Sequence, residues 1–273
     1  MLEEIFQIPK VAKKIVEEIE VEREFTDMLS NSREIFLVGC GSSYYAAIAV
    51  KYTVQSFFRI LSVAIPSSEF ITYHSSLLDE RDTVIGFSRS GETTETVRVM
   101  DCRARKIAVT SNKKSTMAKK SNFVLNTMAG EEKSIVMTKT YVAAIFAPMK
   151  MLSDVAGIDI SDIPDMMKEV LGYEKDIKSI AKEVAGYRNF YYIGSGFSYA
   201  TALEGSLKLK ETTYLHAEAY PSGEVRHGPI ALADKELFCI VINPKGRAYE
   251  DNKKIADELM DKGSRILYLS DKG

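Results

Sequence analysis

Two short stretches of this chain are near copies of each other. Glu34-Ile-Phe-Leu-Val-Gly39, an apolar run ending at glycine, opens into Gly39-Cys-Gly-Ser-Ser-Tyr-Tyr-Ala46. Asn189-Phe-Tyr-Tyr-Ile-Gly194 opens in the same way into Ser195-Gly-Phe-Ser-Tyr-Ala200. From each glycine the next comparable strand end lies at the same interval, Ser88 in the first half (88 minus 39 is 49) and Asn243 in the second (243 minus 194 is 49). A buried strand entering a glycine turn, restarted at matching spacing, predicts two copies of one α/β domain.

Each half reads as strands alternating with helical stretches. Short apolar runs at Ser62–Pro66, Thr83–Phe87, Lys106–Thr110, Phe123–Leu125 and Leu237–Ile242 predict strands. Helical patterns over Thr93–Arg103 and Val136–Val155 lie between or after them, and Pro9 with Val11, Ile15, Val16 and Ile19 predicts one amphipathic helix from Leu2 to about Leu29. Strands joined by crossover helices form a doubly wound, mostly parallel sheet. The polar segment from Ile158 to Tyr187 suits a linker plus a leading helix, so the boundary is set near Ile160, giving domains 1–160 and 161–273. Measured against the first copy, the second stops early: either it is abbreviated or its natural C-terminus lies beyond Gly273.

The composition excludes several classes. With 36 basic and 38 acidic residues the formal charge is -2, too small for a long-range field toward nucleic acid or an anionic membrane. Cys40, Cys102 and Cys239 are dispersed and have no histidine set beside them, so neither a disulfide framework nor a metal site is expected. The acidic start does not resemble a secretory signal, and no apolar run approaches the ~18 residues of a membrane span. A soluble cytoplasmic protein is expected.

At strand ends, closely spaced glycines let backbone amides converge, and neighbouring hydroxyls donate to phosphate oxygens without adding charge. Gly41, Ser42 and Ser43 supply one such turn, and Ser88-Arg-Ser-Gly-Glu-Thr-Thr94 supplies a second at a predicted helix start. In an open parallel sheet, ligands bind outside the carboxyl ends of the strands. A small phosphorylated metabolite fits better than a dinucleotide, because Tyr44 occupies the place of the third fingerprint glycine. A Gly-Lys-Ser/Thr ending of a triphosphate loop is missing too. Arg89 is either a charge near the phosphate or a solvent-facing arginine.

In the second half Glu204, Lys208 and Glu211 recur at intervals of four and three, on one helical face, as a salt-bridged solvent face also would. Downstream, His227 stands between Arg226 and Gly228-Pro229, a rigid bend able to hold an imidazole against a sugar oxygen. Histidine and glutamate exchange protons near neutral pH when their surroundings tune them, which suits ring opening and proton transfer between adjacent sugar carbons. His216 is read as a packed or hydrogen-bonded turn residue.

At Cys40-Gly-Ser-Ser43, Ser88-Arg-Ser-Gly-Glu-Thr93, Leu207–Glu211 and Ala217–Pro229 the chain resembles the sugar isomerase (SIS) domain family, above all the isomerase half of glucosamine-6-phosphate synthase and its stand-alone relatives. The resemblance implies two flavodoxin-like domains in a homodimer. It implies phosphate binding by Ser43, Ser88, Ser90 and Thr93, with Arg89 where the synthase has glutamine, and a sugar-lining segment at Val136 and Thr138. It further implies that Glu211 moves the proton between C1 and C2, with Lys208 beside it, and that His227, donated by the partner subunit, opens the ring. The 273 residues hold no cysteine-dependent glutaminase segment and end before the family's tail lysine, so ammonia release from glutamine and imine chemistry on that lysine are not expected.

The expected activity is conversion of glucosamine 6-phosphate to fructose 6-phosphate with release of ammonia, or the related amination. No cofactor is expected, because the substrate's own carbonyl acidifies the proton. The alternatives are an isomerase or deglycase for another phosphorylated sugar, and a sensor that binds a sugar phosphate without turning it over.

Overall fold

In a computed structural model that describes residues 1–271, the chain divides into two compact units, Met1–Gly172 and a second beginning at Tyr173. In the first, α1 (Leu2–Ile5), α2 (Ile8–Glu18) and α3 (Arg23–Ser30) precede β1 (Ile35–Gly39), α4 (Ser42–Phe58), β2 (Ser62–Pro66), α5 (Ser67–Tyr73) and β3 (Thr83–Phe87). Then follow α6 (Thr94–Val99), β4 (Arg105–Thr110), α7 (Thr116–Lys119), β5 (Phe123–Asn126), α8 (Lys139–Val155) and α9 (Ile163–Val170). The second unit contains α10 (Glu174–Glu183), β6 (Asn189–Ile193), α11 (Phe197–Thr213), β7 (His216–Tyr220), α12 (Ser222–Val225), β8 (Leu237–Ile242), α13 (Tyr249–Asp261) and β9 (Arg265–Leu269).

Both sheets are parallel, and their orders, β2-β1-β3-β4-β5 and β7-β6-β8-β9, follow one scheme. It is the flavodoxin-like order, in which the chain turns back on opposite sides of the first and third strands of the unit. The expectation of a doubly wound pair is met. The repeat extends into the backbone: α4 and α11 span 17 residues each, and their cap glycines adopt nearly the same left-handed conformation, Gly41 at φ 54, ψ -129 and Gly196 at φ 60, ψ -125. Both helices also end on a left-handed residue, Arg59 and Tyr214.

Alternation sorts the first sheet between two cores. Ile35, Leu37, Ile85, Phe87, Ile107 and Val109 pack with α2, α3, α4 and α8, while Phe36, Val38, Val84 and Ala108 pack with Phe70 of α5, Val99 of α6 and Met117 of α7. Because both faces are covered, the strands read as unbroken apolar runs. The division after α9 has its cause here, since Ile163 and Met167 pack on the first core.

Several expectations need correction. The single N-terminal helix is three helices. The chain leaves α2 at Ile19 in an extended conformation (φ -89, ψ 114), burying that side chain beneath α8, where Lys150 Nζ donates to its carbonyl at 3.3 Å. Glu17 and Glu18 crowd the helix's C-terminal end, where the macrodipole disfavours anions. The helix expected from Val136 begins at Lys139, and the one expected over Thr93–Arg103 is confined to Thr94–Val99. His216, read as a turn residue, opens strand β7 and lies 3.7 Å from Glu218.

Candidate active site

The β1 and β3 carboxyl ends are neighbours, with Val38 paired to Gly86, and their loops leave toward opposite faces of the sheet. Gly39 lets the first turn close: a Cβ on it would stand 2.7 Å from the Ser43 carbonyl carbon. Ser42 and Ser43 are buried in the first turn of α4, and Ser43 Oγ reaches Met137 Sδ at 4.0 Å. The second turn is knitted by its own hydroxyls. Ser88 Oγ is 3.0 Å from Thr93 Oγ1 and accepts the Gly91 N–H at 3.1 Å, while Ser90 Oγ accepts the Glu92 N–H at 3.1 Å. Ser88 is buried, Thr93 half-buried and Ser90 exposed, so the hydroxyls grade from the sheet to the surface.

Behind this cradle, Thr96 of α6 joins Cys40 (Sγ to Oγ1 3.9 Å) to Ser67 at the start of α5 (3.1 Å). The second unit repeats that brace with different chemistry, Ser195 Oγ meeting Ser222 Oγ at 2.8 Å and Asn252 Oδ1 at 3.0 Å. Its strand-end loop reads Asn243-Pro-Lys-Gly-Arg-Ala248, without the hydroxyls of Ser90 and Thr93. The hydroxyl cradle therefore belongs to the first unit alone.

Arg89, expected near the phosphate, turns to the segment between β5 and α8. Its Nη1 donates to the Ser134 carbonyl at 3.2 Å and lies 3.4 Å from Glu132 Oε2. Glu132, which the sequence did not single out, has no exposed side-chain surface. Its Oε1 accepts the Thr138 N–H at 2.9 Å and hydroxyl at 2.7 Å, and its Oε2 accepts the Thr140 hydroxyl. Glu4 of α1 accepts the Lys133 and Ser134 N–H groups, and Lys139 Nζ donates to Gln7 Oε1 at 2.8 Å. Thr138 is thus committed to Glu132, and Val136 is half-buried in the same loop. Nothing local distinguishes Glu132 from Glu131; only the fold selects it.

Burial pushes the Glu132 carboxyl up, but hydrogen bonds from Thr140 and Thr138 outweigh it and leave the pKa below the ordinary 4.5. The carboxylate's contribution to stability is therefore complete above the unfolded value and disappears as pH falls through the lower folded one. The protection of the Thr138 and Thr140 amides, relative to their intrinsic exchange at each pH, should persist at pH 5 and fall only below about 4.5, the ordinary value; loss of protection already at pH 6 would contradict this anchoring.

In the second unit, α11 brings Lys208 and Glu211 together. Lys208 Nζ is 2.5 Å from Glu211 Oε2 and 3.2 Å from Glu204 Oε1, the i,i+3 and i,i+4 contacts of one helical face. Glu204 is buried, Lys208 intermediate and Glu211 exposed, so the carboxylate is accessible and its partner cation partly shielded. The His227 backbone N–H donates to the Glu224 carbonyl at 3.0 Å, and its side chain is exposed. The bend after it is real, with Gly228 at φ 136 before Pro229, and Arg226 is held by Glu258 at 2.5 Å. Among the described residues no group of His, Cys, Asp or Glu is placed to hold a metal ion, and no helix is long and apolar enough to cross a membrane.

Residues 28–152 and 183–273 match the SIS domain family. Glutamine–fructose-6-phosphate aminotransferase [isomerizing] of Methanothermobacter thermautotrophicus is 33% identical over 98% of this chain, and that of Aquifex aeolicus 32% identical over 100%. The chain spans about half the length of these relatives, 46% and 48%. Among solved structures, the C-terminal domain of glucosamine-fructose-6-phosphate aminotransferase from Francisella tularensis superimposes with a TM-score of 0.89 at 25% identity, covering 100% of this chain and 84% of that one. Glucosamine-6-phosphate deaminase from Thermotoga maritima gives 0.81 at 28% identity, covering 100% and 85%. With two parallel sheets of one topology and both segments matched, the chain belongs to the SIS domain family.

Proposed function

We infer that this chain is a phosphosugar aldose–ketose isomerase that converts glucosamine 6-phosphate to fructose 6-phosphate with release of ammonia, or runs the related amination. The observation that carries this reading is the hydroxyl-lined turn pair at the β1/β3 ends, built for a small anion and unlike a dinucleotide loop. The relatives above, a fructose-6-phosphate aminotransferase and a glucosamine-6-phosphate deaminase, point to the substrate class, hexose and hexosamine 6-phosphates.

The phosphate is taken by Ser43, Ser88, Ser90 and Thr93 with nearby backbone amides. His227, contributed by the partner subunit of a homodimer, protonates the ring oxygen as the C1 hydroxyl loses its proton, giving the open aldehyde. Glu211 removes the C2 proton, and the electron pair moves through C1 to the carbonyl oxygen, forming an enediolamine. Lys208, paired with the base, stabilises the developing negative charge. Glu211 returns the proton to C1, leaving an imine at C2; water adds there and ammonia departs, giving the ketose.

The test is a paired assay, ammonia and fructose 6-phosphate formed from glucosamine 6-phosphate, alongside isomerisation of glucose 6-phosphate. Stoichiometric ammonia supports the deaminase; isomerisation alone moves the assignment to a plain aldose–ketose isomerase; binding without turnover of either makes the chain a sensor. Ser88→Ala should raise Kd for the sugar phosphate on the order of 10-fold, the worth of one hydrogen bond to a charged group. Calorimetry giving an unchanged Kd would remove Ser88 from the cradle.

A further inference from the structure

The segment 131–138 touches both phosphate turns. Met137 Sδ meets Ser43 Oγ of the first, and the Ser134 carbonyl and Glu132 meet Arg89 of the second. It is tied down elsewhere by Glu4, whose carboxylate takes the Lys133 N–H at 2.5 Å, and by Glu132's own bonds to Thr138 and Thr140. Arg89 joins this segment to the phosphate loop. Its Nη1 carries two N–H groups, and two acceptors, the Ser134 carbonyl and Glu132 Oε2, lie within reach of them. A guanidinium that serves as a phosphate ligand presents two parallel N–H groups to the oxyanion. Here one nitrogen is spent on the protein, beside a carboxylate that would repel the phosphate.

Resting on the phosphosugar reading above, we propose that Arg89 is a positioning residue for the sugar and not a ligand of the phosphate: it locks segment 131–138 to the phosphate loop through Glu132 and Ser134. The lock sets the distance between the phosphate hydroxyls and the Val136–Thr138 stretch. Phosphate capture is then independent of Arg89, while recognition of the attached carbon chain depends on it. Neutral glutamine at this position is shorter and leaves Glu132 without its cation.

The experiment compares wild type with Arg89→Gln, Arg89→Lys, Glu132→Gln and the Arg89→Gln/Glu132→Gln double variant, using inorganic phosphate and fructose 6-phosphate as probes. For Arg89→Gln, Kd for inorganic phosphate should change less than about 2-fold, and Kd for fructose 6-phosphate should rise on the order of 10-fold. Arg89→Lys, which keeps the charge, should recover part of that loss, and the double variant should be no worse than the more affected single one. Amide exchange at 133–140 in the unliganded protein should quicken about 10-fold in Arg89→Gln. Equal weakening of both probes would make Arg89 a direct phosphate ligand and overturn the proposal, as would unchanged exchange. If wild type binds neither probe, the phosphosugar reading fails, while the exchange measurement still decides whether the lock exists.

Discussion

Glu211→Gln should lower turnover of the phosphosugar by about 10³-fold and leave its Kd within about 3-fold, the signature of losing a proton carrier. The side chain is exposed and pairs with Lys208, which also has Glu204 at 3.2 Å when Glu211 is neutralised, so the helix has no reason to rearrange. Glutamine preserves shape and hydrogen bonding but cannot take a proton from C2. The adjacent ammonium should make the loss steep, since Lys208 stabilises an enediolate only after a base has generated it. Lys208→Met should cost less, on the order of 10²-fold, because an electrostatic stabiliser is lost while the base remains. Rate constants within a factor of three of wild type for Glu211→Gln would remove this carboxylate from the chemistry and assign the C2 proton to another base.

How much of this was legible beforehand depended on whether the decisive contact was local. The five-residue strand Thr83–Phe87 and the turn at Gly39–Ser43 are written in neighbouring residues, and both stand where sequence reading put them. Lys208 and Glu211 are one helical turn apart, so periodicity alone brought them together. Glu132 and Glu4 were invisible for the opposite reason. Glu132 sits in Glu131-Glu132-Lys133, which reads as a solvated charge run, and its importance comes from burial against Thr138 and Thr140 and from a loop 43 residues earlier in the chain. Glu4 meets Lys133 across 129 positions. Arg89 was legible as a charge in the phosphate loop but not in its direction, because side-chain direction follows from the acceptors that tertiary structure supplies. His216 was misplaced for a related reason: the strand it opens, His216–Tyr220, contains Glu218 and lacks the continuous apolar run of a buried strand. It is an edge strand of its sheet, half covered, and its polar pattern reflects that place.

The repeat itself yields the sharpest stability contrast, between two glycines that occupy corresponding places in the strand-end loops. Gly91→Ala should destabilise the first unit by about 3 kcal/mol or more and abolish phosphate binding, whereas Gly246→Ala should shift stability by less than about 0.5 kcal/mol. Gly91 has φ +68, and a Cβ built on it would stand 2.0 Å from Ser115 Oγ and 2.4 Å from Ser115 Cβ. Ser115 cannot yield easily: it is fully buried and its Oγ caps α7 by accepting the Ala118 N–H at 3.2 Å. Displacing it forfeits a cap worth about 1 kcal/mol, in addition to the cost of a left-handed alanine. The same backbone carries the cradle, because the Gly91 N–H binds Ser88 Oγ and the Gly91 carbonyl accepts the Met117 N–H at 3.0 Å. Relief of the overlap must therefore move the hydroxyls that take the phosphate. At Gly246 no atom lies within 4 Å of the added carbon. Urea unfolding followed by amide exchange in β3 and in β8 separates the two units, and phosphate titration reports on the cradle. A Gly91→Ala protein that keeps wild-type β3 protection and phosphate affinity would show that the close approach to Ser115 is not what shapes the second turn, and the hydroxyl cradle would then need another origin.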